Sequence, residues 1–137
     1  MRAVLDPAVI NPALLAPNGS PAKALRAGLD GAHDLVAPLL LLAELDRTPA
    51  YPKTRRRAPA SDATAAVGLV EHQVLVVDDP TEPPLYRSPD PGDDYLIVLA
   101  VAARAVLVSG DRHLLGLDQT LPIRSPAAVL GLLGEGS

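Results

Sequence analysis

The chain has no cysteine, no tryptophan and no phenylalanine, and only three tyrosines, Tyr51, Tyr86 and Tyr95. Without cysteine there can be neither a disulfide framework nor a thiolate metal site. With aromatics at 2% and apolar residues at 48%, the sequence favours a compact globule whose core is built from Leu, Val, Ala and Ile. A charged and apolar leader is missing, as is any span of about 18 or more apolar residues, so a soluble cytoplasmic protein with no membrane segment is expected. Positive charge is scarce as well: 12 Lys and Arg face 16 Asp and Glu, for a net charge of −4. That balance argues against nucleic-acid binding through a general positive field, because counterion release needs clustered cations. Local patches must decide. A length of 137 residues suits one domain with a real core; the expected division is a single domain over 1–133 and a short flexible tail over 134–137.

What the sequence does contain is an alternation of short apolar runs and helical stretches. Arg2-Ala3-Val4-Leu5-Asp6 is ended by an Asp-Pro step. Proline donates nothing to a ladder and restricts the residue before it, so this run predicts an opening strand with Asp6 at its C-terminal end. Residues 8–15 are apolar but crossed by Pro12. Ser20 and Pro21 form an N-cap and N1 pair for a helix from 21 to about 29, stopped by Asp30-Gly31. Residues 34–37 predict a second strand, and the leucine-rich run from Pro38 to about Arg47 a helix that carries Glu44. A proline-broken basic connection follows, with Lys53, Arg55, Arg56 and Arg57, four of the twelve cations. A helix from 61 to about 72 and a strand over 74–77 come next. Residues 78–92 then form an acidic segment with five prolines, too long for a plain connector.

The longest apolar passage, residues 92–111, has acids at both ends: Asp93 and Asp94 before it, Asp111 after it. Tyr95 to Ala103 is uncharged and suits a helix packed on most sides; Ala105 to Ser109 suits a buried parallel strand. A turn of helix at 113–115, a weak strand at 121–123, and a helix capped by Ser125-Pro126 complete the chain. Strands alternating with helices, with no hairpin signal, predict a three-layer α/β/α domain around a mostly parallel sheet of four to five strands. In such sheets ligands bind outside the C-terminal strand ends, where Asp6 and Asp111 would share an edge. Singly, each acid has an ordinary explanation. Asp6 and Asp94 could be helix caps, Asp111 a turn residue, and Glu44 a surface partner of Arg47.

Taken together, Val4-Leu5-Asp6, the helix Leu39-Leu40-Leu41-Leu42-Ala43-Glu44-Leu45, the run Asp93-Asp94-Tyr95-Leu96-Ile97-Val98-Leu99-Ala100 and the passage Leu107-Val108-Ser109-Gly110-Asp111 resemble a PIN-domain nuclease, as found in VapC-type toxins of toxin–antitoxin modules. The resemblance covers nearly the whole chain. It implies a PIN-like fold and an acidic metal-binding set of Asp6, Glu44, Asp94 and Asp111, with Asp94 preferred over Asp93 because it stands three residues before Ile97-Val98-Leu99-Ala100. It implies Mg²⁺ or Mn²⁺, with Asp6, Asp94 and Asp111 holding the metal and Glu44 positioning or deprotonating the attacking water. Ser109, and Asp93 as the fallback acid, would support the ligands from behind. An RNA substrate is implied, with Lys53, Arg55, Arg56 and Arg57 contacting its backbone, and a cognate antitoxin or a second copy of the chain as protein partner. With the four acids placed in one site, the rest of the chain is neutral. One departure stands out: where the family often has Asn or Ser two residues after its first acid, this chain has Ala8. The four carboxylates are retained, so activity is expected to survive, and Ala8 is where it would be weakened. His33, His72 and His113 lack ligand spacing and are expected at the surface or its boundary.

Two rivals follow from other features. Ala8 and the net acidity motivate a PIN-like module that binds without cleaving, and the same metal chemistry would permit a nuclease for structured DNA. Val74-Leu75-Val76-Val77-Asp78-Asp79 is similar to the opening of a phosphoacceptor receiver domain. Too little chain follows Asp79 to complete that fold.

Overall fold

The structure, a computed structural model, describes residues 1–15, 18–47, 50, 56, 60–81, 94–117 and 119–134. Numbered in chain order among these residues, the strands are β1 (Arg2–Leu5), β2 (Asp34–Pro38), β3 (Leu75–Val77), β4 (Val106–Val108) and β5 (Ile123–Arg124). The helices are α1 (Pro7–Leu15), α2 (Ser20–Leu29), α3 (Leu39–Arg47), α4 (Ala60–Gln73), α5 (Tyr95–Ala103), α6 (Arg112–Leu115) and α7 (Pro126–Leu132). Asp93, Lys53, Arg55, Arg57, most of the acidic proline-rich segment and residues 135–137 of the expected tail lie outside the described residues.

The strands form one parallel sheet in the order β3-β2-β1-β4-β5. This is the expected α/β/α architecture, with five strands and every pairing parallel. β1 lies at its centre because Ala3, Val4 and Leu5 are apolar without interruption, as a strand covered on both faces must be. From β1 the chain steps outward to β2 and β3, then returns to the other side of β1 for β4 and β5. Right-handed crossovers in opposite directions put the connecting helices on opposite faces. Accordingly α1, α2, α3 and α4 pack on one another, while α5 packs against β1 and β4. The order reverses between β1 and β4, so the chain leaves their C-terminal ends in opposite directions, the place where such sheets bind ligands.

The α5–β4 unit holds a long continuous run of buried residues. Leu96, Ile97, Val98, Leu99 and Ala100 are all buried, five consecutive residues and so every side of the first turns; Val101 and Ala102 are exposed, and Tyr95 and Ala103 are half-buried. Arg104 ends the helix in the left-handed region, at φ 54 and ψ 44, and its N–H bonds back to Ala100 and Val101. Ala105 N then donates to Ala100 O at 2.8 Å and turns the chain into β4.

Several boundaries differ from the sequence expectation. Residues 7–15 form a helix despite Pro12, which removes one backbone bond; α1 is held by packing on α2 and by Asp6, whose carbonyl accepts from Val9 N and Ile10 N. Ser20 is the first residue of α2 rather than its cap: the cap is Gly19, extended and without a side chain to offer, because Lys23 N reaches Gly19 O. Pro38 belongs to β2, paired with Val77, so α3 starts at Leu39. His33 is buried rather than at the surface. Its Nε2 lies 2.9 Å from Ala24 O, and its ring packs over Gly28, where a methyl group would come within 2.6 Å of Cε1. His72 and His113 are exposed, as expected.

Candidate functional site

Asp6 leaves the C-terminal end of the central strand at the point where the strand order reverses. Its backbone N–H donates to Val108 O at 3.0 Å, locking the start of the β1–α1 turn to the last residue of β4. The side chain is only 3% exposed, so its carboxylate depends on protein groups for hydrogen bonds. Ser109, fully buried one residue beyond β4, supplies one: Ser109 Oγ donates to Asp6 Oδ2 at 2.9 Å. The same Oγ accepts from Asp111 N at 3.1 Å. That fixes the direction of the hydroxyl proton, because an oxygen already accepting from Asp111 directs its single O–H at Asp6. Asp111 in turn caps α6, its Oδ1 accepting from His113 N at 2.8 Å. Asp6, Ser109 and Asp111 thus form one hydrogen-bonded chain across β1 and β4.

Glu44 reaches the same place from α3. Burial first, then the neighbouring Asp6 carboxylate, hold its carboxyl above the ordinary carboxylate value, against the opposite pull of Arg47. The surface pairing with Arg47 that a lone helical Glu would make is therefore outweighed. The leucines explain the orientation: Leu41 and Leu45 are buried and Leu39 and Leu40 exposed, which turns Glu44 to the margin between core and solvent.

Asp94 stands at the N-cap position of α5, 3% exposed; its carbonyl accepts from Ile97 N at 3.1 Å, and its side chain makes no capping hydrogen bond to that helix. It is held at the buried start of a helix packed on β1 and β4. Of the basic cluster only Arg56 is described, in an exposed turn. Asp79 has a different task from any expected of it: its Oδ1 accepts from Leu40 N at 2.9 Å and so caps the first turn of α3.

A family model described as the PIN domain matches residues 2–113. The chain belongs to the PIN domain family. The match spans Asp6, Glu44, Asp94 and Asp111. A comparison with curated proteins found no significant match. PIN domains are generally nucleases and typically use divalent metal ions. The donor chemistry of this PIN domain suits such an ion, since Asp6 and Glu44 are oxygen ligands that repel each other in a desolvated place, and a cation between them would remove that repulsion. Among the described residues, however, no three acidic or histidine side chains stand close enough together to hold one ion. Two features at this edge were not read from the sequence. Arg112 follows Asp111 directly, and Arg124 is the partner of Val108 across β4 and β5. The second follows from strand register, which the weak run at 121–123 did not reveal.

Proposed function

We propose that this PIN domain is a Mg²⁺- or Mn²⁺-dependent endoribonuclease, and that it is the VapC-type toxin of a toxin–antitoxin pair. The observation that carries the reading is the buried Asp6 carboxylate at the switch point, oriented by Ser109 and close enough to Glu44 to raise its pKa. Asp6, Asp94 and Asp111 would hold the metal. When bound, a divalent cation supplies an acidic water at neutral pH and neutralises charge on the departing oxygen. Glu44, with its carboxyl raised by burial and by Asp6, is suited to accept a proton from the attacking water at a carboxylate oxygen. Ser109 keeps the Asp6 carboxylate in one orientation, and Arg56, with Lys53, Arg55 and Arg57, would contact RNA backbone. Exposed apolar residues on α3, α4 and the edge strand β3, among them Leu40, Leu69 and Leu75, offer surface for an antitoxin or a second copy. Among the described residues no helix is long and apolar enough to cross a membrane.

A second reading, a PIN-like module that binds without cleaving, is favoured by Ala8 in α1 and by the three-ligand group that the described residues leave unassembled. The test is incubation of purified protein with end-labelled RNA and DNA in Mn²⁺ or Mg²⁺, with EDTA and Asp94→Asn as controls. Cleavage of RNA that is lost in both controls supports the nuclease. Cleavage that persists in both points to a contaminant, preferred cleavage of DNA removes the toxin reading, and no cleavage leaves the binding module.

A further inference from the structure

The Asp6 carboxylate at the switch point, with Glu44 beside it and Asp111 just beyond Ser109, creates a problem for any polyanionic substrate, because these acids would repel the phosphates flanking the one that is cut. The fold places two arginines beside them. β4 and β5 pair in parallel with Val108 opposite Arg124, and Ser109 N donates to Arg124 O at 3.0 Å. Arg124 therefore stands next to Ser109, the residue whose hydroxyl holds Asp6. Its guanidinium is half-buried and anchored at one end, Nη1 donating to Ile123 O at 2.7 Å, which limits the entropy lost when a further group binds. Arg112 opens α6 immediately after Asp111, is exposed, and belongs to a helix that packs against β5. The β4–β5 register thus places Arg124 on the β5 side of Asp6, and Arg112 follows Asp111 on a helix packed against the same strand.

We infer that Arg112 and Arg124 form a phosphate-binding flank of the acidic site and hold the backbone of single-stranded RNA on the β5 side of the scissile phosphate. The inference rests on the nuclease reading above. Arginine suits the task, since its fork donates two parallel hydrogen bonds to phosphate oxygens. The contacts carry no base information; they position the strand.

Binding can be measured apart from cleavage with Glu44→Gln protein in Mg²⁺ and a fluorescently labelled single-stranded RNA, read by anisotropy over a range of salt. Adding Arg112→Gln or Arg124→Gln should weaken binding by up to about fivefold each, the value of one exposed ion pair. The double variant should flatten the slope of log K against log salt by about 1.4, at about 0.7 per phosphate contact on a single strand. Arg112→Lys should restore part of the affinity, and a DNA strand of the same sequence should show the same fractional losses. Arg112 is exposed, so its variant serves even if Arg124→Gln disturbs β5. Lys23→Gln on α2, where Lys23 lines a separate groove with Arg26, Asp30 and Leu130, should leave affinity unchanged. Equal loss in Lys23→Gln would reveal a diffuse field and overturn the inference, as would an unchanged salt slope in the double variant or losses confined to RNA. If the wild type cleaves RNA while the arginine variants bind as well as their parent, the inference falls and the nuclease stands. If the arginine dependence holds in a protein that does not cleave, the nuclease reading falls alone.

Discussion

Replacing Ser109 by alanine removes one oxygen and two hydrogen bonds, and the Asp6 carboxylate has little water within reach to replace its share. The Asp6 carboxylate is 3% exposed and Ser109 itself fully buried, so the Oγ–Oδ2 bond at 2.9 Å is charge-assisted and desolvated. A hydrogen bond to a charged group contributes about 1.5–3 kcal/mol, and the second bond, from Asp111 N at 3.1 Å, about 1 kcal/mol. Ser109→Ala should therefore destabilise the fold by about 2–4 kcal/mol, against less than about 0.5 kcal/mol for an ordinary surface change. The assay is urea denaturation of wild type, Ser109→Ala, Asp6→Ala and the double variant. Because the hydroxyl proton is directed at Asp6, the cycle should return a coupling of about 1–2 kcal/mol between the two positions. Loss of Asp6 alone also relieves repulsion with Glu44, so its single-variant change should be smaller than that of Ser109→Ala. A coupling near zero, or a Ser109→Ala protein as stable as wild type, would refute the bond and with it the argument that β4 orients Asp6.

Three further outcomes follow from the same geometry. Glu44 has a folded pKa raised above its unfolded value, so the stability it contributes is full below the unfolded value and lost as pH rises through the raised one; Glu44→Gln should match wild type in acid and be the more stable protein at neutral pH, by thermal melts across that range. Equal stability at both ends would mean that Glu44 does not face Asp6. Gly28→Ala should destabilise by about 1–3 kcal/mol, since the new methyl group would press on the buried His33 ring and on Leu35, outweighing a helix-propensity gain of about 1 kcal/mol; a rise in melting temperature would contradict that packing. Arg104→Gly should gain up to about 1 kcal/mol, because the left-handed φ of 54 strains any residue with a Cβ. A loss of similar size in denaturant titration would show that the Arg104 side chain holds something in place.

The parts of the fold that were legible in advance are those whose signal is local. Val4-Leu5 as an opening strand ending at Asp6, the uncharged helix before Arg104, and Ser125 capping α7 through Ala128 N all follow from runs and caps a few residues long. Where the chain departed, distant contacts decided. Pro38 is a strand residue because Val77 lies beside it, and α1 survives Pro12 because α2 covers it. Asp79 caps a helix through Leu40, 39 residues earlier, and the burial of His33 depends on the missing side chain at Gly28. The site shows the same division. Asp6 and Asp111 were legible because two parallel strands must end on one edge, and the resemblance supplied Ser109, Glu44 and Asp94. Arg124 was not legible, since its place depends on a register that only the assembled sheet sets.

The proposed nuclease requires acids from both halves of the chain to serve a divalent metal site: Asp6 and Glu44 from the first, Asp94 and Asp111 from the second. Titration of Mn²⁺ by isothermal calorimetry on wild type, Asp6→Asn, Asp94→Asn and Asp111→Asn tests it without RNA. The account predicts saturable binding in the wild type that weakens at least about tenfold in each variant, as loss of one carboxylate ligand demands. Binding in Asp94→Asn as tight as in wild type would contradict it.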